Sequence, residues 1–409
     1  MRKAVKITAA GISVLTILIL ILITLAYYFL PSNYFVTNES NITIRNIYSI
    51  SCFDESGNPV NSSGETPREK TTQENITLFN VIPVKSAQVT RMQRKYVIPG
   101  GDIFGIRLYT SGVMIVGMQD IVTAKGSVNP AEKAGLQIGD IITRVNKEPV
   151  NKNTDVMRLF ESSDGKGINI DYVRGEKSCS TVLYPQLSKD DNKYRAGLWV
   201  RDSTAGIGTM TYYDDENNIF AGLGHGICDV DTGEIMPLLG GDIVEAVVNS
   251  CAKGSEGTPG ELIGAFSGAV TGNLVLNTAA GIYGNTIGEV KKANSEKVPV
   301  ATKQEVQSGK AYIISTIDGK TPEKFEVEVK KIFAGDSGYK NMVVKVTDSR
   351  LIEKTGGIVQ GMSGSPIIQN GMLIGAVTHV FVNDPLQGYG IYAEKMIEIS
   401  DTLTDKSAD

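Results

Sequence analysis

Ser363 lies in a turn whose composition suits a nucleophile. The turn reads Gly361-Met362-Ser363-Gly364-Ser365-Pro366 and leads into the apolar run Ile367-Ile368. A serine between glycines just before a strand projects its hydroxyl clear of bulky neighbours, and the backbone N–H groups around it can point at one spot. There the amides of Gly361 and Ser363 would stabilise the negative oxygen that develops during acyl transfer. The turn therefore predicts a nucleophile together with its oxyanion hole.

A serine hydroxyl is a weak nucleophile until a neighbouring base takes its proton. The chain contains two histidines. His225 lies in the loop Gly222-Leu223-Gly224-His225-Gly226-Ile227, whose glycines let the imidazole face a cleft, whereas His379 alternates within the strand pattern Val377–Phe381. We expect His225 to be the base and His379 to be a hydrogen-bonded strand residue. An ordinary histidine pKa near 6.5 leaves the ring mostly neutral at pH 7.

The base in turn needs a carboxylate that fixes the tautomer of the imidazole and stabilises its charged form. Asp348 follows the apolar run Met342–Val346 and precedes Ser363 by 363 − 348 = 15 residues. Asp229, Asp231 and Asp336 compete for the same role, and an isolated aspartate is more often a turn residue than a catalytic one. The residues alone leave this choice open.

Other chemistries and partners fit the chain less well. Two histidines and scattered cysteines form no metal-ligand cluster, and Gly165-Lys166-Gly167 lacks the spacing of a phosphate-binding loop. We therefore expect no metal and no cofactor. The formal net charge of 40 − 45 = −5, without a basic run beyond the first six residues, makes nucleic acid an unlikely partner.

The amino terminus carries an uncharged segment of 22 residues, Ala9–Leu30, behind Arg2, Lys3 and Lys6. This length can cross a hydrocarbon core about 30 Å thick. A cleaved signal peptide is the alternative, but its apolar part usually has about 7–15 residues. We expect residues 1–30 to form a retained anchor with a cytoplasmic tip, and all later residues to lie outside the cytoplasm.

The exported part divides by composition into four segments. Residues 31–75 are polar and rich in asparagine, which predicts a flexible stalk. Residues 76–99 show short β-type runs and form a linker. Residues 100–185 alternate strands with two short helices, near Asn129–Ala134 and Thr154–Glu161, and predict a small α+β domain. Residues 186–409 are almost wholly β and predict a barrel or a pair of barrels, with a helix at Ala393–Asp401.

The segment Ser127–Ile142 resembles the signature of PDZ domains found in exported proteases. Pro130 suits a first helical turn, Gly135 suits its left-handed end, and Gly139-Asp140 makes the turn into the next strand. In such domains a glycine loop presents backbone N–H groups to a carboxylate, and a peptide adds as a further strand. The resemblance assigns that loop to Ile103-Phe104-Gly105-Ile106, with an ordinary strand entry as the alternative.

The nucleophile turn resembles that of chymotrypsin-like serine peptidases. With the anchor, the PDZ-like segment, Gly222–Gly226 and the run Thr355–Ile368, the chain resembles the SpoIVB peptidase family of membrane-tethered signalling peptidases. The resemblance assigns the triad to His225, Asp348 and Ser363. It implies a mainly β fold with an N-terminal transmembrane helix, a PDZ-like α+β domain and a chymotrypsin-like β-barrel peptidase domain.

The same resemblance implies a role in sporulation. The chain would act between forespore and mother cell on a membrane-bound regulator of an intramembrane metalloprotease, and so lead to activation of a late sigma factor. Its own stalk is a second possible substrate. A catalytically silent adaptor that tethers membrane partners through the PDZ-like domain is the alternative from another class, and a cysteine or metal hydrolase ranks third.

Overall fold

The computed structural model of the chain describes residues 2–30, 32–36, 41–44, 48–51, 70–91, 94–288, 296–333 and 338–405. The chain forms two compact units. The first comprises Met1–Tyr96 and Pro299–Val306, and the second comprises Val97–Val298 and Gln307–Asp409.

The helices are α1 (Arg2–Phe29), α2 (Pro130–Lys133), α3 (Asn153–Glu161), α4 (Ser349–Thr355) and α5 (Ala393–Asp405). The strands up to residue 187 are β1 (Asn33–Val36), β2 (Asn41–Ile44), β3 (Tyr48–Ser51), β4 (Lys70–Leu78), β5 (Ile82–Arg91), β6 (Tyr96–Pro99), β7 (Ile103–Met118), β8 (Ile121–Thr123), β9 (Gly126–Val128), β10 (Ile141–Val145), β11 (Glu148–Pro149), β12 (Ile168–Arg174), β13 (Lys177–Leu183) and β14 (Gln186–Leu187). The later strands are β15 (Tyr194–Arg195), β16 (Leu198–Asp214), β17 (Ile219–Gly222), β18 (Leu238–Ala252), β19 (Glu261–Thr278), β20 (Gly281–Thr286), β21 (Val298–Pro299), β22 (Gly309–Ser315), β23 (Glu323–Ile332), β24 (Met342–Val346), β25 (Pro366–Gln369), β26 (Met372–Phe381) and β27 (Asp384–Tyr392).

Helix α1 contains the apolar segment predicted from the sequence. Its part Gly11–Tyr28 has a mean hydropathy of 2.3 over 18 residues. At a rise of 1.5 Å per residue, that part alone is about 27 Å long. The helix is therefore a candidate membrane span, as expected of a single-pass membrane protein.

The rest of the first unit contains a five-stranded sheet in the order β1-β5-β4-β3-β2. Ala26 and Leu30, at the end of α1 and just beyond it, pack into its core together with Ile50, Ile76 and Val89. A wholly flexible stalk over residues 31–75 is therefore not what the structure shows, because alternating apolar residues such as Tyr48 and Ile50 on β3 find partners on β4 and β5. The predicted linker also contributes β5 to this sheet, and residues 52–69 of the stalk lie outside the described residues.

The second unit contains two rings of six strands. One is a closed barrel in the order β22-β23-β24-β27-β26-β25. In the other, the pairing of β7 with β16 closes the run β7-β18-β19-β20-β17-β16. The turn Asn370-Gly371 joins β25 to β26 with both φ angles positive, at 51° and 77°, as the sequence predicts for a type I′ hairpin. The mainly β fold is confirmed.

The PDZ-like part of the chain contains a sheet in the order β13-β12-β10-β7, to which β7 contributes its second half. Asn129 caps α2 by accepting hydrogen bonds from the N–H groups of Ala131 and Glu132, both at 3.1 Å. Val156 and Phe160 of α3 pack on the core of this sheet. Strand β7 therefore belongs to this sheet with its second half and to the first ring with its first half.

Candidate active site

The nucleophile turn lies between the two rings, against β16 and β26. Ser363 is partly exposed, and its Oγ donates a hydrogen bond to the backbone carbonyl of Thr378 at 2.5 Å. The carbonyl oxygen of Ser363 accepts the N–H of Thr209 on β16 at 2.9 Å. The nucleophile candidate is thus held by its backbone on one side and by its hydroxyl on the other.

The hydrogen bonds of the turn leave two amides unpaired. The N–H groups of Gln360, Met362 and Gly364 donate to the carbonyls of Gly260, Val359 and Val377 at 2.8, 3.1 and 2.8 Å. Across the described part of the chain, no acceptor is paired with the N–H of Gly361 or of Ser363. These are the two amides that the sequence predicts for an oxyanion hole. Gly361 and Ser363 are both partly exposed, so their unpaired N–H groups are available to an anionic oxygen beside the Ser363 hydroxyl.

Gly364 lets the histidine loop approach the turn. Its φ is +97°, and a Cβ built there would lie 1.9 Å from the carbonyl oxygen of Thr209 and 2.5 Å from the N atom of Leu223. Any larger residue would push away Leu223, which precedes His225 by two positions. Gly224, in the same loop, lies close to the methyl group of Thr378, whose carbonyl accepts the Ser363 hydroxyl. The fold thus brings His225 and Ser363 to the same part of β26, although no hydrogen bond joins their side chains in the described structure.

His225 has the tautomer that a general base requires. Its Nδ1 lies 2.8 Å from the carbonyl oxygen of Gly226, so Nδ1 carries the proton and Nε2 keeps a free lone pair. Burial lowers the pKa of His225 below its usual value, and the bond to Gly226 partly offsets this. The ring is therefore neutral at pH 7.

The second histidine lies beside the first. The ring centroids of His225 and His379 are 4.7 Å apart with an interplanar angle of 38°. Desolvation lowers the pKa of His379 to about 4, and the neighbouring His225 and Lys340 contribute. Both histidines line a cavity of about 350 Å³, together with Gly224, Ala279, Gly338, Tyr339 and Lys340. The expectation of an ordinary strand histidine omitted this pairing, which only the fold creates.

Asp348 occupies a different environment from His225. It caps α4, and its carboxylate accepts the backbone N–H of Arg350 at 2.9 Å, the Arg350 guanidinium at 2.9 Å and the N–H of Glu326 at 3.2 Å. The Arg350 side chain, above all, lowers the pKa of Asp348. Asp348 lies beyond the end of β24, whereas the cavity residue Lys340 lies before its start. Among the described residues no hydrogen bond joins the Asp348 carboxylate to His225, whose Nδ1 contacts the carbonyl of Gly226 instead.

The competing aspartates have structural partners. Asp229 is buried, forms an ion pair with Arg201, and accepts the N–H groups of Asp231 and Thr232 at 3.0 Å each. Asp231 pairs with the same Arg201 at 2.8 Å. Burial alone would raise the pKa of Asp229, but its bonds to these N–H groups and to Arg201 lower it. Asp336 lies outside the described residues.

The predicted carboxylate-binding loop is wrong. Ile103, Phe104, Gly105 and Ile106 form the first part of β7, which is paired with β16 at all four residues and with β18 from Phe104 onward. On one edge Ile106 is in register with Gly206 of β16, and on the other with Ile243 of β18. No edge remains for an added peptide strand. The local sequence resembles such a loop, but partners about 100 and 140 residues away in the chain convert it into a barrel strand.

Thr209 was missed by sequence reasoning. Besides its backbone bond to Ser363, its side-chain hydroxyl donates to the carbonyl oxygen of Gly361 at 2.7 Å. A threonine in a run of β-forming residues gives no signal beyond strand propensity. Only the pairing of β16 with the nucleophile turn singles it out.

Two family models match the chain. The SpoIVB peptidase S55 family matches residues 192–397, and a PDZ domain family matches residues 126–174. A search of the curated proteins finds no match.

Solved structures of two kinds are similar to parts of the chain. The Rv3671c protease from M. tuberculosis in its active form is 11% identical, with a TM-score of 0.29, over 48% of this chain and 72% of the protease. Its inactive form is 11% identical, with a TM-score of 0.28, over 47% and 81%. The PDZ domain of the SdrC-like protein from Listeria monocytogenes is 18% identical, with a TM-score of 0.18, over 22% of this chain and 87% of that domain.

Proposed function

Because this chain belongs to the SpoIVB peptidase S55 family and is a serine peptidase, we propose that Ser363 is its nucleophile and His225 its general base. The observation that carries the proposal is the pair of unpaired amides, Gly361 N–H and Ser363 N–H, beside a partly exposed serine. Such a pair of donors beside a serine hydroxyl and a neutral histidine suits the oxyanion of acyl transfer. The catalytically silent adaptor is therefore the weaker alternative.

The mechanism that this geometry supports is acyl transfer. The Ser363 hydroxyl leaves the carbonyl of Thr378 and turns to Nε2 of His225, which accepts its proton as Oγ bonds to the scissile carbonyl carbon. The carbonyl oxygen becomes anionic between the amides of Gly361 and Ser363. His225 then donates the proton to the leaving amine as the C–N bond breaks. A water molecule then attacks the carbonyl carbon of the acyl-enzyme while His225 takes a proton from it. His225 returns this proton to Oγ of Ser363 as the bond between Oγ and the acyl group breaks.

We propose Asp348 as the acidic member of the triad, on the family resemblance. In the described conformation its carboxylate is bound to Arg350, and the carbonyl of Gly226 orients the imidazole instead. The proposal thus requires that Asp348 exchange its bonds at α4 for one to Nδ1 of His225. A substitution described in the Discussion separates this role from helix capping.

We propose that the substrate is a membrane-associated regulatory protein in sporulation signalling, outside the cytoplasm. The candidate membrane span in α1 supports this class of substrate, because an anchored peptidase meets neighbours in the same membrane at a high effective concentration. A reporter fused after Asn80 should be active only when exported, and a cytoplasmic signal there would overturn the orientation. Fragments that disappear in a Ser363→Ala strain would identify the substrate and would show whether the chain also cleaves itself.

Labelling by a fluorophosphonate tests the nucleophile. Ser363 displaces fluoride from phosphorus and becomes covalently modified, so the wild-type chain should be labelled and Ser363→Ala should not. Ser203→Ala is the control, because Ser203 is an exposed serine whose hydroxyl bonds Asp202. Labelling that survives in a folded Ser363→Ala variant would end the assignment of Ser363. A wild-type chain that is folded yet resists labelling would favour the silent adaptor.

A further inference from the structure

Thr209 lies on β16 against the nucleophile turn and contacts it twice. Its hydroxyl donates to the carbonyl oxygen of Gly361 at 2.7 Å, and its backbone N–H donates to that of Ser363 at 2.9 Å. The side chain is fully buried. None of the chemical steps above uses Thr209, so both contacts need a separate explanation.

The two contacts fix the peptide planes beside the oxyanion hole. A peptide unit is rigid and planar, so fixing its carbonyl also fixes the direction of its N–H and of the bonds that join it to the next unit. The hydroxyl of Thr209 holds the plane Gly361–Met362, which lies between the two unpaired amides. Its N–H holds the plane Ser363–Gly364, which follows the second amide. Thr209 therefore restrains, at their carbonyl oxygens, the two peptide planes that adjoin the unpaired N–H groups of Gly361 and Ser363.

The backbone of Gly361 can rotate easily, and the hydrogen bond from Thr209 restrains this rotation. Its φ is +95°, in a region that glycine adopts freely, so its backbone does not resist rotation as a larger residue would. Without the Thr209 hydroxyl on its carbonyl, the plane Gly361–Met362 would be held only by the bond from the Met362 N–H to Val359 at 3.1 Å, and a turn about that bond would carry the adjoining Gly361 and Ser363 amides away from the hole. We propose that Thr209 is a positioning residue that keeps the hole in its donor geometry. This inference rests on the proposed function, in which Ser363 is the nucleophile.

The alternative is that Thr209 only stabilises the fold, and Thr211 provides a matched control. Thr211 lies two residues further along β16, is equally buried, and donates its hydroxyl to the carbonyl oxygen of Gly364 at 2.8 Å. That carbonyl lies beyond both amides of the hole. Replacing either threonine with valine removes one hydrogen bond from a buried threonine hydroxyl to a backbone carbonyl of the same turn, but only Thr209→Val releases a plane between the amides.

The test compares the full-length variants Thr209→Val, Thr209→Ser and Thr211→Val in reaction with a fluorophosphonate. The phosphoryl oxygen gains negative charge in the hole as phosphorus is attacked, so the maximal inactivation rate measures the donor geometry. For Thr209→Val we expect this rate to fall about 10- to 100-fold, while the concentration for half-maximal rate stays unchanged. Thr209→Ser, which keeps the hydroxyl, should restore the rate. Thr211→Val should lower Tm as much as Thr209→Val does, yet stay within about threefold of the wild-type rate.

Three results would overturn the inference: a wild-type rate in Thr209→Val, an equal loss in Thr211→Val at the same Tm, or a failure of Thr209→Ser to restore the rate. If Thr209→Val does not fold, Thr209→Ala takes its place with the same expected loss of rate, because alanine also lacks the hydroxyl and is smaller than threonine. Failure of the nucleophile proposal looks different, because Ser363→Ala would then still be labelled whatever Thr209 does.

Discussion

The hydroxyl of Ser363 donates to the backbone carbonyl of Thr378, 2.5 Å away, and not to His225. A hydroxyl bonded to a carbonyl has no base to take its proton, so the described conformation is a resting one. The same strand, β26, carries His379 as the next residue, and His379 contacts the ring of His225. In the proposed mechanism the Ser363 hydroxyl exchanges this bond for one to His225, beside the unpaired amides of Gly361 and Ser363.

The pH dependence of the reaction should report the state of His225. Burial lowers the pKa of this ring below 6.5, with a smaller opposite effect from Gly226. The base works only when neutral, so the inactivation rate with a fluorophosphonate should be constant above pH 7 and should fall as the pH decreases through a value below 6.5. The second-order rate reports the free protein, in which Gly226 and not Asp348 contacts Nδ1, so a midpoint above 7 would contradict this and would mean that a carboxylate stabilises the charged imidazole before the reaction begins.

Asp348→Asn separates catalysis from helix capping. Asparagine caps a helix about as well as aspartate, so the variant should lose well under about 1 kcal/mol of stability. If Asp348 is the acid of the triad, the variant leaves His225 without its charged partner, and the inactivation rate should fall about 10³- to 10⁴-fold. Arg350→Gln is the control, because it removes the guanidinium but leaves the Asp348 carboxylate with the backbone N–H groups of residues 350 and 326, so its rate should be retained. A folded Asp348→Asn with full activity would leave Asp348 as the cap of α4 alone.

Asp102 should make the fold less stable as the pH rises. Burial raises the pKa of Asp102 to about 6, although the hydroxyl of Tyr213, 3.4 Å away, lowers it. A raised pKa means that the folded chain binds the proton more tightly than the unfolded chain does. The stabilisation is complete below pH 4 and is lost as the pH rises to about 6. Asp102→Asn should therefore raise Tm at pH 7.5. The free energy of unfolding should increase there by up to about 3 kcal/mol.

The comparison that checks this prediction is a set of Tm values for wild type and Asp102→Asn between pH 4 and 8. The two curves should converge at the acidic end and separate toward neutral pH. Asp120→Asn on the exposed surface serves as control, since its carboxylate is exposed. Parallel curves for wild type and Asp102→Asn would show that the Asp102 carboxyl is charged in the folded chain as easily as in the unfolded one.

Features fixed by neighbouring residues could be predicted from the sequence. The turn around Ser363, the hairpin at Asn370-Gly371 and the short helix α2, with Pro130 in its first turn and Gly135 left-handed after its end, each depend on residues within about five positions, and each is found where the sequence puts it. Ile103–Ile106 could not be predicted, because its local pattern fits a loop and a strand equally well. The pairing with β16 and β18, far along the chain, decides between them.

The residues of the candidate site also divide into those with a local signal in the sequence and those that only the fold brings together. Ser363 and His225 stand out because glycines surround both, and glycine-rich loops are a local signal. The contact of His225 with His379 and the bonds of Thr209 depend on how β16 and β26 meet the nucleophile turn, and no spacing in the sequence encodes that meeting. The assignment of Asp348 came from resemblance, and the local structure instead gives its carboxylate the ordinary role of a helix cap.

Gly105→Val tests the barrel role of the first part of β7. A Cβ built on Gly105 would lie 2.5 Å from the ring of Phe266 and 2.7 Å from the side chain of Val244, so valine should overpack the first ring and cost about 1–3 kcal/mol or more of stability. Gly206→Val is the matched control, because Gly206 is in register with Ile106 on the neighbouring strand and nothing lies within 4 Å of its Cβ position. Tm and the fluorophosphonate rate should both fall in Gly105→Val and be retained in Gly206→Val. Since the damage is to the fold, cleavage of a membrane-tethered protein and of a short free peptide should fall together. A Gly105→Val variant with the wild-type Tm that loses only the tethered substrate would show that this segment receives a peptide after all.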